Sequence, residues 1–223
     1  MEGLVYHGTP NPLVGRIRCD VNKSKCDFGN GFYTGTLEWA AKNRAVSNSR
    51  NEGYVYTFNF INDVSTYIFD DPVLWAFFVA YNRDKKKINF REYPALVREF
   101  KRILRYPVII GNIADDKMSD AFNAFMSSSI TDICFAECLK LIRLGVQVVF
   151  KDDTIANTKL IPVRCKRIFG LEARQSKDWG LSVKSDMDKD LECLKEEYLG
   201  KGLLVKKALA KKERELSGND YRV

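Results

Sequence analysis

The stretch DFGNGFYTGT, residues 27–36, constrains the fold more than any other part of the sequence. It packs three glycines around three aromatic residues, Phe28, Phe32 and Tyr33. Glycine at this density indicates backbone conformations that side chains forbid, or the close approach of a ligand. Residues 27–36 are therefore the first candidate for a functional segment.

The segments on either side of this stretch predict two short strands and a helix. Residues 4–6 form an apolar run that ends at His7-Gly8-Thr9-Pro10, which is typical of an edge or terminal strand closed by a turn. A second strand is expected near residues 14–18. After the glycine-rich stretch, residues 37–47 contain three alanines and predict a helix.

The rest of the chain carries further strand and helix patterns. In residues 54–60 the period of two puts Tyr54, Tyr56, Phe58 and Phe60 on one face of a strand. Strands are also predicted at residues 108–112, 146–150 and 160–169, and helices at residues 73–82, 93–104, 117–126, 131–144, 186–199 and 201–216. The charge content rises after Phe169, so we expect a domain over residues 1–169 and a charged helical C-terminal extension over residues 170–223.

Composition excludes several classes of enzyme. The chain has 223 residues, 45% hydrophobic and 12% aromatic, as expected of a folded domain. His7 is the only histidine, which rules out a two-histidine metal site, and a Ser-His-Asp triad would have to use it. The sequence contains neither a phosphate-cradling P-loop motif nor a dinucleotide-binding GxGxxG motif. No resident metal is expected.

The formal net charge is +7, which permits a nucleic-acid or acidic partner. The basic helix after Lys201 also holds glutamates, so it predicts either a solvated face, a partner-docking helix or a nucleic-acid contact. The N-terminus shows no secretory signal, and the most apolar stretch, residues 73–81, is too short to span a bilayer. We therefore expect a cytoplasmic protein with six reduced cysteines and no membrane contact.

Three segments together carry a family resemblance: Tyr6-His7-Gly8-Thr9, Gly31-Phe32-Tyr33-Thr34 and residues 146–150. Their order resembles the ADP-ribosyltransferase fold of the diphtheria-toxin and poly(ADP-ribose) polymerase branch. That branch has a His-Gly pair in a first strand, a Gly-x-Tyr strand, and a third polar residue, usually Glu, in a later strand. The fold implied is α+β, with split antiparallel sheets and flanking helices.

The sequence is similar in more detail to a bacterial family of unknown function. Its members share Tyr-His-Gly, Asp-Phe-Gly-x-Gly-Phe-Tyr, a helical Trp-Ala, Ala-Asp-Asp and a Gln-Val-x-Phe strand. Here these blocks are Tyr6-His7-Gly8, residues 27–33, Trp39-Ala40, Ala114-Asp115-Asp116 and residues 147–150. The resemblance covers about residues 4–169.

The resemblance implies a site for NAD as substrate. His7, Tyr33 and Gln147 would be the catalytic positions, a His-Tyr-Gln variant of the branch's His-Tyr-Glu motif. His7 would hold a ribose hydroxyl, the Gly8 backbone would approach the nicotinamide carboxamide, and Tyr33 would stack on the nicotinamide ring. The other residues expected to contact NAD are Thr9, Phe28, Gly31, Thr36 and Asp115.

The glutamine is a departure, because an amide can hold a hydroxyl but cannot stabilise positive charge as a carboxylate does. Asp115, Asp116 and Asp152 are the candidates for a replacement acid. Asp115 and Asp116 also suit the first turn of a helix, and Gln147 also suits an ordinary sheet position. Cys134 and Cys138, one helical turn apart, are expected to be buried core residues.

The function expected from the resemblance is transfer of ADP-ribose from NAD to a macromolecular acceptor, either protein or nucleic acid. An NAD glycohydrolase and a non-catalytic module that binds a nucleotide or a partner are the alternatives. The family resembles toxin-like bacterial enzymes, which is compatible with an inhibitory partner protein. The apolar residues Leu203, Leu204, Val205 and Leu209 would then serve either as its docking face or as packing against the domain.

Overall fold

A computed structural model describes residues 2–20, 26–46, 51–83, 88–114, 119–141 and 145–219. The strands in these ranges are β1 (Gly3–Thr9), β2 (Phe32–Gly35), β3 (Glu52–Phe60), β4 (Thr66–Ile68), β5 (Val108–Asn112), β6 (Val146–Phe150) and β7 (Leu160–Phe169). The α-helices are α1 (Glu38–Val46), α2 (Pro72–Arg83), α3 (Pro94–Ile103), α4 (Ser119–Met126), α5 (Asp132–Lys140), α6 (Asp153–Lys159), α7 (Gly170–Glu197) and α8 (Val205–Asn219). A short 3-10 helix, Phe90–Glu92, precedes α3. The α+β class is therefore confirmed.

The strands form one sheet in the order β4-β5-β6-β2-β1-β3-β7. All neighbours are antiparallel except β4 and β5. The prediction of split sheets is corrected to a single mixed sheet, whose two halves join where Tyr6 of β1 pairs with Gly35 of β2. The junction is narrow because β2 has only four residues and meets β1 at its last one.

The strand β1 is the first element of the chain, but it lies between β2 and β3, so of the two alternatives predicted for residues 4–6 the edge strand is wrong. All seven of its residues pair with β3, and Val5 is buried in the core beneath the sheet. A run of three apolar residues does not reveal how many neighbours a strand will have. The edges of this sheet are β4 and β7.

Two glycines allow α1 to lie directly on the sheet. A Cβ atom on Gly8 would stand 1.8 Å from the carbonyl oxygen of Ala41, and one on Gly53 would stand 2.3 Å from that of Ala45. Both distances are far below contact, so any side chain at either position would push the helix away. The close approach buries Ala41 and Ala45 with Val55 in a small core of their own.

Two larger cores lie on opposite faces of the sheet. The face that carries Ile109 and Val149 packs against α2 to α5 and the two C-terminal helices. The other face carries Val5, Phe32 and Phe58. Residues 14–18, expected as a strand, instead belong to an irregular segment over this second face. The amide of Ile17 bonds the side chain of Asn157 on α6, at 2.9 Å, rather than a neighbouring strand.

Most helix predictions are confirmed, but two need correction. The helix that follows β7 begins at Gly170, not at residue 186, because the turn is made at Gly170 itself, with φ of +57°. Its polar sequence conceals a narrow buried stripe that includes Ala173, Ser176 and Val183. The helix predicted over residues 131–144 ends at Lys140, and residues 142–144 lie outside the described ranges.

The C-terminal helices pack on the rest of the chain. Leu191 of α7 and Val205, Ala208 and Leu209 of α8 join the large core. The carboxylate of Glu213 accepts hydrogen bonds from the amides of Ala95 and Leu96, at 2.8 and 2.9 Å, and so caps the start of α3. The boundary at residue 169 stays a prediction. No helix in the described ranges is long and apolar enough to cross a membrane.

Candidate functional site

The three predicted catalytic positions lie on adjacent strands at the centre of the sheet. Gly35 of β2 pairs with Tyr6 of β1 on one side and with Gln147 of β6 on the other. His7 follows Tyr6, and Tyr33 lies two residues before Gly35 on the same strand. Positions 7, 33 and 147 therefore come together around one point of the sheet.

His7 bridges the narrow junction between the two halves of the sheet. Its Nδ1 lies 2.6 Å from the carbonyl oxygen of Tyr33, and its ring stacks on Phe32 with centroids 4.3 Å apart. Burial lowers the pKa of His7 to about 4, although the bond to Tyr33 acts in the opposite direction. The ring is therefore neutral at pH 7. Because a carbonyl oxygen only accepts, Nδ1 carries the proton and Nε2 is a hydrogen-bond acceptor.

The hydroxyl of Tyr33 is fixed by two hydrogen bonds to the backbone. The hydroxyl donates to the carbonyl oxygen of Gly29, at 2.6 Å, and accepts from the amide of Phe28, at 3.0 Å. Burial raises the pKa of the phenol, so the group stays neutral. Its half-buried ring packs against the large core, on the opposite face of the sheet from His7.

Gln147 is on the same face as Tyr33 and is almost fully buried, with 5% of its surface exposed. Its Nε2 donates to Oδ2 of Asp27, at 3.0 Å, and to the carbonyl oxygen of Asn112, at 2.7 Å. These two bonds use both amide hydrogens and fix the orientation of the group. What Gln147 can offer a ligand is its acceptor, Oε1.

Asp27 is the residue at the centre of this region that sequence reasoning missed. Its Oδ1 pairs with Arg83 at 2.5 Å, and its Oδ2 accepts from Gln147 and from the amide of Ala114, at 3.1 Å. Arg83 also donates to the carbonyl oxygen of Ala114. Burial raises the pKa of Asp27, while the charge of Arg83 and the hydrogen bonds oppose that rise.

Asp27 therefore ties together three blocks of the sequence resemblance: its own, Ala114 and Gln147. The sequence feature that could have identified Asp27 is that it is an acidic residue at the start of a glycine-rich stretch. Arg83 gave no signal, since it is one basic residue at the end of an apolar helix.

A lysine next to this region was also missed. The Nζ of Lys151, directly after β6, donates to the carbonyl oxygen of Phe28 at 2.6 Å. Burial lowers the pKa of this amine to about 8. Lys151 therefore helps to hold the glycine-rich loop and titrates near neutral pH.

Two of the residues predicted to contact NAD hold the local backbone instead. The hydroxyl of Thr36 accepts from the amide of Val146 at 3.1 Å, which joins the end of β2 to the start of β6. The hydroxyl of Thr9 donates to the carbonyl oxygen of Asn11 in the turn after β1. Both are partly exposed.

The other predicted contacts are explained by packing. Phe28 has no exposed surface and contacts Phe69 and Phe78 in the core. A Cβ atom on Gly31 would stand 2.6 Å from Cγ1 of Val149, and the position that a Cβ atom on Gly8 would take is filled by α1. The structure thus gives these residues a role in the fold that does not require a ligand.

Of the three candidates for a replacement acid, Asp152 is the one that the structure describes. Asp115 and Asp116 lie outside the described ranges. Asp152 caps α6, since its carboxylate accepts from the amide of Ile155 at 2.8 Å. Cys134 and Cys138 are buried in the core as predicted. Among the residues described, no group of three side chains is suited to hold a metal ion.

Comparison with known proteins gives a family but no activity. A family model described as a protein of unknown function, DUF3990, matches residues 4–160. The chain belongs to the DUF3990 family. The DUF3990 match runs from β1 to the first residue of β7, so it contains His7, Asp27, Tyr33 and Gln147 and leaves out α7 and α8. No curated protein and no solved structure matches the chain.

Proposed function

We propose that this protein transfers ADP-ribose from NAD to a macromolecular acceptor and releases nicotinamide. The observation that carries the proposal is the meeting of His7, Tyr33 and Gln147 around Gly35, although the three are far apart in sequence. These are the positions at which the sequence resembles the His-Tyr-Glu motif of ADP-ribosyltransferases. The agreement between that resemblance and the strand register supports an NAD site at the centre of the sheet.

The donor and acceptor pattern suits a ribose. Cleavage of the bond between nicotinamide and ribose develops positive charge on the sugar, as in glycoside hydrolysis. Nε2 of neutral His7 and Oε1 of Gln147 are both acceptors that can hold hydroxyl donors, and because they lie on opposite faces of the sheet, each would hold a different hydroxyl group of NAD. Fixed contacts of this kind help by orienting the sugar for reaction.

Gly35 places no side chain between Tyr33 and Gln147. Gly35, Tyr33 and Gln147 are on the same face of the sheet, and the ring of Tyr33 is half-buried. A Cβ atom on Gly35 would meet only ordinary contacts, at 3.7 Å or more. The exposed part of the Tyr33 ring is the surface on which we propose that nicotinamide stacks.

The carboxylate of Asp27 accepts a hydrogen bond from the amide of Gln147. It acts as a positioning residue, since it touches the amide of Gln147 and lies beneath the proposed ribose contact. A non-catalytic nucleotide-binding module remains the second candidate, and the observation that favours it is the amide at position 147 itself.

The test uses NAD labelled on its adenosine half and a cell lysate. The variants are Tyr33→Phe, which keeps the ring, Tyr33→Ala, which removes it, and His7→Ala. We expect attached label with the parent and with Tyr33→Phe, and a loss of at least about tenfold with the other two, because a tenfold loss corresponds to one fixed contact in the transition state. Digestion with protease or nuclease then names the acceptor class.

Three results would contradict the proposal. Equal labelling by His7→Ala and the parent would remove His7 from the site. Free ADP-ribose without attached label would identify an NAD glycohydrolase. Intact NAD with every variant, combined with NAD binding that His7→Ala abolishes, would identify the binding module. The thermal unfolding midpoint of each variant controls for loss of fold.

A further inference from the structure

A groove of about 940 Å³ runs beside α3, between the last turn of α2 and the 3-10 helix. Five cationic side chains line it: Arg91, Arg98, Lys101, Arg102 and Arg105. No acidic side chain is among the described residues that line it. The groove is therefore a positively charged concave surface away from the Gly35 region.

The cations are regularly spaced along the groove. Arg98, Lys101 and Arg102 share one face of α3, and Arg105 continues that line in the turn beyond the helix. Because an α-helix rises about 5.4 Å per turn, this spacing presents a positive charge at every turn. Glu99 holds Arg102 at 2.5 Å, whereas Arg91, Lys101 and Arg105 are exposed to solvent.

The floor of the groove is aromatic and apolar. Phe90 is buried there, and Tyr81 and Val97 are half-buried. Proteins that bind single-stranded nucleic acids combine a positive groove with aromatic side chains. A membrane-binding helix instead projects its apolar residues outward, and here they lie below the charges.

We propose that this groove binds the sugar-phosphate backbone of a single-stranded nucleic acid. The groove begins at the last turn of α2, where Tyr81 lines it and the next residues, Asn82 and Arg83, bond Asp27. A bound strand would thus pass close to the candidate site. Binding requires neither NAD nor transfer, so it can be tested independently of the proposed function.

The other basic surface, on α8, is different. Lys212 pairs with Asp71 and Glu215, at 2.7 and 2.6 Å, and Lys211 lies 3.9 Å from Glu215. Its positive charges are interleaved with negative ones, which weakens the local field. This surface therefore provides a control of equal formal charge.

The experiment measures fluorescence anisotropy of labelled single-stranded RNA and DNA of about 12 nucleotides, within the range of one binding site. The groove variant replaces Arg91, Lys101 and Arg105 with glutamine. The control variant replaces Lys206, Lys207 and Lys211 with glutamine, which removes the same charge from α8. NAD is left out, and salt is varied from about 50 to 200 mM, a range in which phosphate contacts are strongly screened.

We expect the parent to bind both oligonucleotides with an affinity that falls steeply with salt. The groove variant should bind at least about tenfold more weakly than the parent at low salt. Its plot of log affinity against log salt concentration should have a slope shallower by about 2, because each of the three lost phosphate contacts contributes roughly 0.7. The control variant should stay within about threefold of the parent, because rim charges far from the strand contribute little.

Equal losses in the two variants would overturn the proposal, since only net charge would then matter. So would affinity confined to vesicles of phosphatidylserine or to polyglutamate, tested in parallel. The single variant Lys101→Gln is included in case the triple variant unfolds. Its slope should be shallower by about 0.7, and an unchanged slope would contradict the proposal.

Discussion

His7, which is half-buried, and Asp27, which is buried, are ionisable side chains near the centre of the sheet, on opposite faces. Burial moves each pKa towards the neutral form, downward for the imidazole and upward for the carboxyl. Their partners differ: His7 has one carbonyl oxygen and one stacked ring, whereas Asp27 has a guanidinium, a side-chain amide and a backbone amide.

The difference separates a group that can meet a ligand from one that holds the structure. His7 retains Nε2 as an acceptor, so a substrate can use it without breaking its bond to Tyr33. The two carboxylate oxygens of Asp27 are engaged with three segments of the chain. Asp27 should therefore control stability more strongly than His7, and His7 should control chemistry more strongly than Asp27.

Replacing Asp27 with alanine should have the largest effect on stability. Arg83, Gln147 and the amide of Ala114 would all lose their acceptor, and breaking a buried ion pair costs about 3–5 kcal/mol in the free energy of unfolding. Arg83 is partly exposed and can reach water, so we expect the lower end of that range. Urea unfolding at pH 7 measures it.

The matched control is Asp152→Ala, which removes the cap of α6 and should cost about 1 kcal/mol. If Asp27→Ala were no more destabilising than this control, the Asp27 cluster would not hold the fold together.

Acidification should destabilise the protein through His7. The folded pKa is about 4 and the unfolded value is 6.5, so the unfolded chain binds the extra proton between these limits. Stability is complete above about pH 6.5 and falls towards pH 4, by roughly 3 kcal/mol in the free energy of unfolding. Because His7 is the only histidine, its NMR titration is unambiguous.

Urea unfolding between pH 4 and pH 7 would show this loss in the parent and a smaller one in His7→Gln. An imidazole that titrates near pH 6.5 in the folded protein would contradict the buried, neutral state.

Asp27 should oppose this trend. Its folded pKa lies above the unfolded value, so protonation favours the folded state and stability rises as pH falls through the folded pKa. The Asp27→Asn variant lacks that gain, and its stability should fall more steeply with acid than the parent's. Parallel slopes for the two proteins would show that Asp27 does not titrate in this range.

Of the four changes considered, Gln147→Ala should have the smallest effect on the free energy of unfolding. It removes one of the bonds to Asp27 and leaves the carbonyl oxygen of Asn112 without this donor, which costs about 1–2 kcal/mol in the free energy of unfolding. Gln175→Ala, at an exposed position on α7, is the control and should change stability by less than about 0.5 kcal/mol. A loss near that of Asp27→Ala would mean that Gln147 is part of the structural cluster rather than a ligand contact.

Local patterns predicted the elements well and their arrangement less well. The alternation in residues 54–60 and the apolar run of residues 73–81 depend on neighbours in sequence, so they could be read directly. The position of β1 inside the sheet, and its single pair with β2, depend on register between distant strands.

The candidate site was predictable only in part. His7, Tyr33 and Gln147 were named from a resemblance, and their adjacency came from the fold. The partners of Asp27 could not be found because Ala114 and Gln147 lie 87 and 120 residues away along the chain. The start of α7 at Gly170 could not be recognised from the sequence, because polar residues such as Arg174 and Lys177 separate the few buried positions of the helix.

The cap that Glu213 places on α3 also has a consequence for synthesis. Glu213 follows Ala95 by 118 residues, so at about 5–20 residues per second a ribosome makes it roughly 6–24 seconds later. Until then the first amides of α3 can bond only to water. Translation that pauses after Phe169 would therefore prolong the interval in which α3 of the nascent chain lacks the carboxylate that caps it.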